Sequence, residues 1–149
     1  MSNVKFIGGD KSVNKIKALI KAKQEYKGYE VGFFINARYL NGESVAMVAF
    51  RNEYGIGNIP ERPFFRLANR ASSKKIFIFV KKLLTFNDSY VLSKHDINKI
   101  GQIHQLAIVN SIIKLREPPN ADSTIKAKGS SNPLYASGMM SRSVTYKVF

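Results

Sequence analysis

The chain has 149 residues, 24 Lys plus Arg against 10 Asp plus Glu, and no Cys or Trp. A chain of this length suits one domain, 1–149, and can bury a core without disulfides or a structural metal; the lack of cysteine excludes disulfide frameworks, cysteine nucleophiles and thiolate-held zinc or iron–sulfur centres. The formal charge of +14 favours acidic partners, whether nucleic acid, an anionic surface or an acidic protein, without choosing among them.

The first ten residues lack a basic-then-apolar signal pattern, and no stretch approaches about 18 uninterrupted apolar residues, so a soluble protein with no membrane partner is expected. The excess charge sits in two blocks. Residues 1–27 carry a net +5, and residues 62–82 carry Arg62, Arg66, Arg70, Lys74, Lys75, Lys81 and Lys82 with no acid.

In chain order, Val13, Ile16, Leu19 and Ile20 place an apolar stripe on a lysine-rich segment, which predicts a basic N-terminal helix over 10–27 stopped by Gly28. Val31, Phe33 and Ile35 alternate, as do Val45, Met47 and Ala49. With Asn41-Gly42 between them, residues 30–50 read as a β-hairpin. Two glycines and two prolines from Gly55 to Pro63 impose a shaped loop, and Pro63 suits the first turn of a following helix. Arg62, Arg66 and Arg70 then share one helical face at four-residue spacing. Ile76-Phe77-Ile78-Phe79-Val80 fits a continuation of that helix better than a buried strand, because lysine pairs flank it and the pattern runs on to Leu84.

A long helix is predicted from Ser93 to Leu115. Ile97, Ile100, His104, Ile108, Ile112 and Leu115 form its stripe, and Leu106, Val109 and Ile113 widen the apolar arc. Residues 118–141 are rich in Ser, Asn, Gly and Ala and read as an extended loop or arm with little core of its own. Val144, Tyr146 and Val148 alternate in a last strand that returns to the sheet. The expected fold class is α+β: a small antiparallel sheet, made of the hairpin plus the C-terminal strand, packed by two or three helices.

No catalytic set emerges, and no enzyme activity, cofactor or metal is expected. His95 and His104 lie about 2.5 helical turns apart with no carboxylate placed to complete a site, and His104 on the apolar stripe reads as a hydrogen-bonded core or interface residue. Gly8-Gly9-Asp10-Lys11-Ser12 lacks the frame of a phosphate loop, and the scattered acids do not suit a two-metal nuclease. Basic and aromatic residues interleave in Arg62-Pro63-Phe64-Phe65-Arg66, a pattern that phosphate contact plus base stacking would use.

Three pieces occur in a telling order: Ala49-Phe50-Arg51-Asn52-Glu53-Tyr54-Gly55, then Ile59-Pro60-Glu61-Arg62-Pro63-Phe64-Phe65-Arg66, then Pro119-Asn120, Thr124, Lys128-Gly129, Pro133-Leu134, Ser137-Gly138 and Ser143-Val144-Thr145-Tyr146. Over residues 46–148 this order resembles the tailed-bacteriophage neck and tail-completion proteins, also described as minor tail or virion morphogenesis proteins. Members carry Asp-Thr-Gly where this chain has Ala136-Ser137-Gly138. The resemblance implies a virion structural protein of the neck or tail, made in the host bacterial cytoplasm. It would form a homo-oligomeric ring, typically a hexamer, that completes the tail or joins head to tail beside neighbouring connector or tail proteins. It makes Asn52, Glu53, Tyr54, Gly55, Pro60, Arg62, Pro63, Phe64, Pro133 and Leu134 candidates for the assembly interface. Arg62, Arg66, Arg70, Lys74 and Lys75 would line a lumen, touching passing DNA through its phosphates, or would face an acidic partner. The alternative is a sequence-independent nucleic-acid-binding protein that uses the same basic face.

Overall fold

The computed structural model describes residues 28–34, 36–86 and 92–149, with Asn14 and Lys17. The basic N-terminal helix expected over 10–27 lies, but for those two positions, outside the described residues. The remaining elements are β1 (Tyr29–Phe33), α1 (Val45–Tyr54), α2 (Phe64–Phe86), α3 (Lys94–Lys114), α4 (Asp122–Lys128), α5 (Met139–Arg142) and β2 (Val144–Val148). The fold is α+β. Among the described residues the sheet has two strands, β1 and β2, antiparallel with Tyr29 opposite Val148 and Phe33 opposite Val144. Gly28 and Phe149 exchange backbone hydrogen bonds of 3.0 and 3.1 Å and close the open end of the ladder.

The hairpin expected over 30–50 is half right. Its turn exists: the Tyr39 N–H donates to Glu43 O, the Gly42 N–H donates to Tyr39 O, and an isolated bridge joins Arg38 to Ser44. The turn leads into helix α1 rather than a second strand. The Ser44 side chain accepts from the Met47 N–H, and Gly55 ends the helix in the left-handed region at φ 65°. Val45, Ala49, Asn52 and Glu53 are buried at intervals of four, three and one, which is helical spacing. Val45 and Ala49 belong to both that pattern and the alternation, Met47 only to the alternation, and five residues are too few to separate the two periods.

The helix after Pro63 and the long helix are present as expected, and 76–80 is helical. At the start of α3 the Ser93 side chain accepts from the Asp96 N–H while the Asp96 carboxylate accepts from the Ser93 N–H. The buried stripe of α3 is Ile97, Ile100, Ile108 and Ile112, but Leu106 is 60 % exposed and Ile113 also faces out, so the apolar arc is narrower than its composition suggests.

The core gathers Val45 and Ala49 from α1, Phe64 and Ala68 from α2, Ile108 and Ile112 from α3, Met140 from α5, Val144 from β2, and Leu134 from the loop between α4 and α5. Residues 118–141 are therefore not a free arm. Leu134 and Met140 anchor the segment in the core, and its Ser and Asn side chains bond it to itself and to α3. Ser130 Oγ donates to Tyr135 O, Asn132 Nδ2 donates to Ile113 O, and Asn132 Oδ1 accepts from the Leu134 N–H. The polar composition that suggested an arm is what lets the segment settle without a ladder of its own.

The sheet lies on α3. Gly101 makes this contact possible, since a Cβ there would stand 2.5 Å from Cδ2 of Tyr146. Gln105 Nε2 donates to Val144 O at 2.8 Å from the same helix. His104 is bonded on both ring nitrogens, to Tyr29 Oη through Nδ1 and to Asn69 Oδ1 through Nε2. It is thus the hydrogen-bonded histidine the stripe predicted. Because Asn69 Oδ1 only accepts, Nε2 carries the proton and Nδ1 accepts from Tyr29.

Gly101→Ala is expected to lower the stability of the fold by about 1–3 kcal/mol, the usual cost of overpacking, read from the urea midpoint. Burial pushes the His104 pKa below its ordinary value. Its contribution is then full above the unfolded imidazole pKa and is lost as pH falls through the lower folded value, because the unfolded state binds the proton more readily. Urea midpoints taken from pH 8 down to pH 5 should fall, and His104→Gln should flatten part of that slope.

Candidate assembly interface

The three sequence pieces that carry the family resemblance meet in one bonding network, centred on Arg62. This side chain is 3 % exposed. Its Nη1 donates to Asn52 Oδ1 at 2.9 Å, and its Nε to Pro118 O at 2.9 Å. Nη2 donates to Pro119 O at 3.0 Å and to Asn120 Oδ1 at 3.1 Å. All four acceptors are neutral. Burial pushes the guanidinium pKa below its ordinary value, yet a guanidinium keeps its charge in proteins. Asn52 fastens the end of α1 to this arginine: its Nδ2 donates to Val48 O one turn back in the helix, and its backbone carbonyl accepts the Arg62 N–H at 2.7 Å. The Glu117–Pro118 peptide bond is cis.

Glu53, also buried, serves the neighbouring helix. The start of α2 has no acid of its own. The Glu53 carboxylate accepts from the backbone N–H groups of Phe65 at 2.7 Å and Arg66 at 3.1 Å, and from Arg66 Nε at 2.9 Å. These are donors that a helix N-terminus leaves over, and a carboxylate there also meets the positive end of the helix dipole. Arg66 further pairs with Glu61 and lies 5.4 Å over the Tyr54 ring. Gly55 is required where it stands: its φ is 65°, and a Cβ would come within 2.8 Å of the Glu61 backbone nitrogen.

This geometry sorts the expected site residues. Asn52, Glu53, Arg62 and Phe64 are buried, and Pro133 and Leu134 are buried too, so they shape the surface rather than present it. Pro63, with its carbonyl accepting the Leu67 N–H, starts α2 and is half-buried. Arg62 does not line a basic face, because its guanidinium is turned inward and makes four hydrogen bonds there. Arg66 is exposed but committed to two carboxylates. Arg70, Lys74 and Lys75 remain exposed on α2, joined further along by Lys81 and Lys82, and none of the five is paired with a carboxylate among the described residues.

Two surfaces adjoin the network. The outward face of α1 shows Met47, Phe50 and Tyr54 in a line, with Phe50 51 % and Tyr54 55 % exposed and their rings 4.9 Å apart. The sequence pattern set Met47 in a strand and held Phe50 only as part of the first motif piece, so neither stood out as a surface residue. On the other side opens a groove of about 1060 Å³, walled by Leu40, Ile59, Pro60 and Met139, with Asn120 and Lys128 also lining it. Its signal in the sequence was faint, since it is closed by chain segments far apart. Among the described residues no group of His, Cys, Asp or Glu could hold a metal, and no helix is long and apolar enough to cross a membrane.

No family model, curated protein or solved structure matches the chain.

Arg62→Ala should lower stability by about 3 kcal/mol or more, since hydrogen bonds from a charged donor are worth about 1.5–3 kcal/mol each and four are lost, less the desolvation cost that is relieved. Arg62→Lys should recover little, because an ammonium cannot reach four acceptors spread around a planar fork. Glu53→Ala should cost about 2 kcal/mol, with Glu53→Gln milder because one acceptor oxygen stays. Chemical denaturation of the three variants with an unchanged m-value checks the set.

Proposed function

We propose that this chain is a virion structural protein of a tailed bacteriophage, one subunit of a homo-oligomeric ring at the neck or tail end that completes the tail or joins it to the head. The observation that carries the reading is the apolar stripe Met47–Phe50–Tyr54 left on the outside of α1, directly over the network that holds the resembling motifs. The motif residues are spent on mutual hydrogen bonds that fix loop and helix geometry. A subunit that works by fitting its neighbours needs such shape, whereas a catalyst needs reactive groups aimed at a cavity. A stripe of large side chains half open to water gains by burial against a partner, at about 25 cal/mol per Å² of apolar area removed from water. The ring, its sixfold order and its contact with connector or tail proteins come to this chain through the resemblance.

A second reading, sequence-independent nucleic-acid binding, is favoured by the exposed cations Arg70, Lys74, Lys75, Lys81 and Lys82 on the acid-free helix α2. Phosphates would meet such a row without base readout.

Light scattering of the purified chain at low and moderate salt tests the first reading. A mass near six times 16.8 kDa is expected, falling to the monomer in the double variant Phe50→Asp, Tyr54→Asp with the melting temperature retained. A monomer that binds any duplex DNA, with affinity falling steeply as salt rises, would instead establish the second.

A further inference from the structure

We propose that the groove beside the Arg62 network is a docking site for an extended segment of another protein, one that carries a carboxylate between apolar side chains. The walls supply the apolar part: Leu40 stands wholly exposed, with Ile59, Pro60 and Met139 around it. The charge lies in the groove itself. Arg62 and Lys128 both line it, and Arg142 reaches its edge; the acid on the rim, Glu43, is already paired with Arg51 at 2.7 Å. Lys128 Nζ donates to Pro133 O at 3.0 Å, which leaves two of its three N–H donors uncommitted.

Beneath the surface the balance tips further. Asn120 Nδ2 is closed off from solvent and has no hydrogen-bond partner. Turning the amide over would not help, because Oδ1 must face Arg62 Nη2. The floor thus combines a guanidinium bonded only to neutral acceptors, an ammonium beside it, and an amide donor left unpaired. The Lys128 pKa is pushed down by its burial and by the Arg62 charge, so the two cations sense one another. A carboxylate at Lys128 Nζ would relieve that imbalance, and its apolar neighbours would cover the walls.

The shape decides among anions. A duplex backbone offers phosphates but nothing to cover Leu40, Ile59 and Pro60, and the exposed row on α2 suits it better. A second copy of this chain, with 10 acids against 24 cations, offers this groove fewer carboxylates than an acidic partner does. Ring formation is not required, since a monomer with this groove would bind the same segment.

The test uses the full chain and a terminally blocked octapeptide of Leu and Ser with one central Asp, titrated calorimetrically beside its Asn counterpart, inorganic phosphate and a short DNA duplex. The Asp peptide should bind at least about tenfold more tightly than the Asn peptide, and Lys128→Met should erase that preference. Asn120→Asp keeps the oxygen that faces Arg62 and sets a carboxylate into the floor. It should raise the melting temperature while abolishing binding of the Asp peptide. Four results would overturn the proposal: equal binding of the two peptides, no binding of either at millimolar concentration, phosphate or DNA binding that depends on Lys128 in place of the peptide, or a lower melting temperature in Asn120→Asp. Lys128→Met gives up only the ammonium and its single bond to Pro133 O, so the peptide discrimination is read in it independently of Asn120→Asp.

Discussion

A positive charge buried without a carboxylate organises this fold. Arg62 must be surrounded by oxygen, since a desolvated cation with idle donors is far more costly than any packing gain nearby. The oxygens come from three places: the side chain at the end of α1, two successive proline carbonyls, and the side chain of Asn120. Meeting that demand fixes where α1 ends relative to the 117–120 turn. It also fixes where α2 begins, because Pro63 and Phe64 follow directly. Glu53, one residue along from Asn52, then has the first turn of α2 within reach. An arginine is suited to this place because its donors are spread around a rigid plane, so a single side chain can hold four acceptors in a fixed arrangement.

The chain is thereby divided by task. Its motif residues look inward and set geometry, while the groups free to meet a partner lie just outside them. Those groups are the aromatic stripe of α1, the cationic row of α2 and the groove. The row and the stripe have opposite chemistry and occupy different helices. A molecule with two unlike faces of this sort can satisfy different neighbours at once, which is what a subunit at a junction between assemblies must do.

Legibility from the sequence followed the range of the interactions. Elements set by adjacent residues were readable: the long helix from Ser93, the helix that follows Pro63, the Asn41-Gly42 turn and the alternation of β2. Helix α1 was lost because its buried residues Val45 and Ala49 fit two periods equally well, and the turn before it argued for a strand. The signals that could have rescued it were Ser44 and Gly55, a cap and a stop ten residues apart with Asn52 in phase. The inward turn of Arg62 was not readable, because three of its four acceptors lie more than fifty residues away and an arginine at four-residue spacing from Arg66 and Arg70 looks like part of an exposed row. For the same reason the loop over 118–141 looked empty. Its two anchors, Leu134 and Met140, count as core only once α1 and α3 are in place.

The pairing of β1 with β2 also governs the order in which the molecule can be built. Tyr29 meets Val148, and the core needs Val144 from the same strand. A nascent chain emerging from the ribosome can coil α1, α2 and α3 as it is made, but the strand at its leading part has no mate until residues 144–148 clear the exit tunnel. Until then Val31, Phe33 and the isoleucines of α3 have no sheet to close over them. Strand β2 acts as a latch. Its arrival after α1, α2 and α3 have been made is the step that completes the core, and leaves the chain before that point in need of shelter from its neighbours.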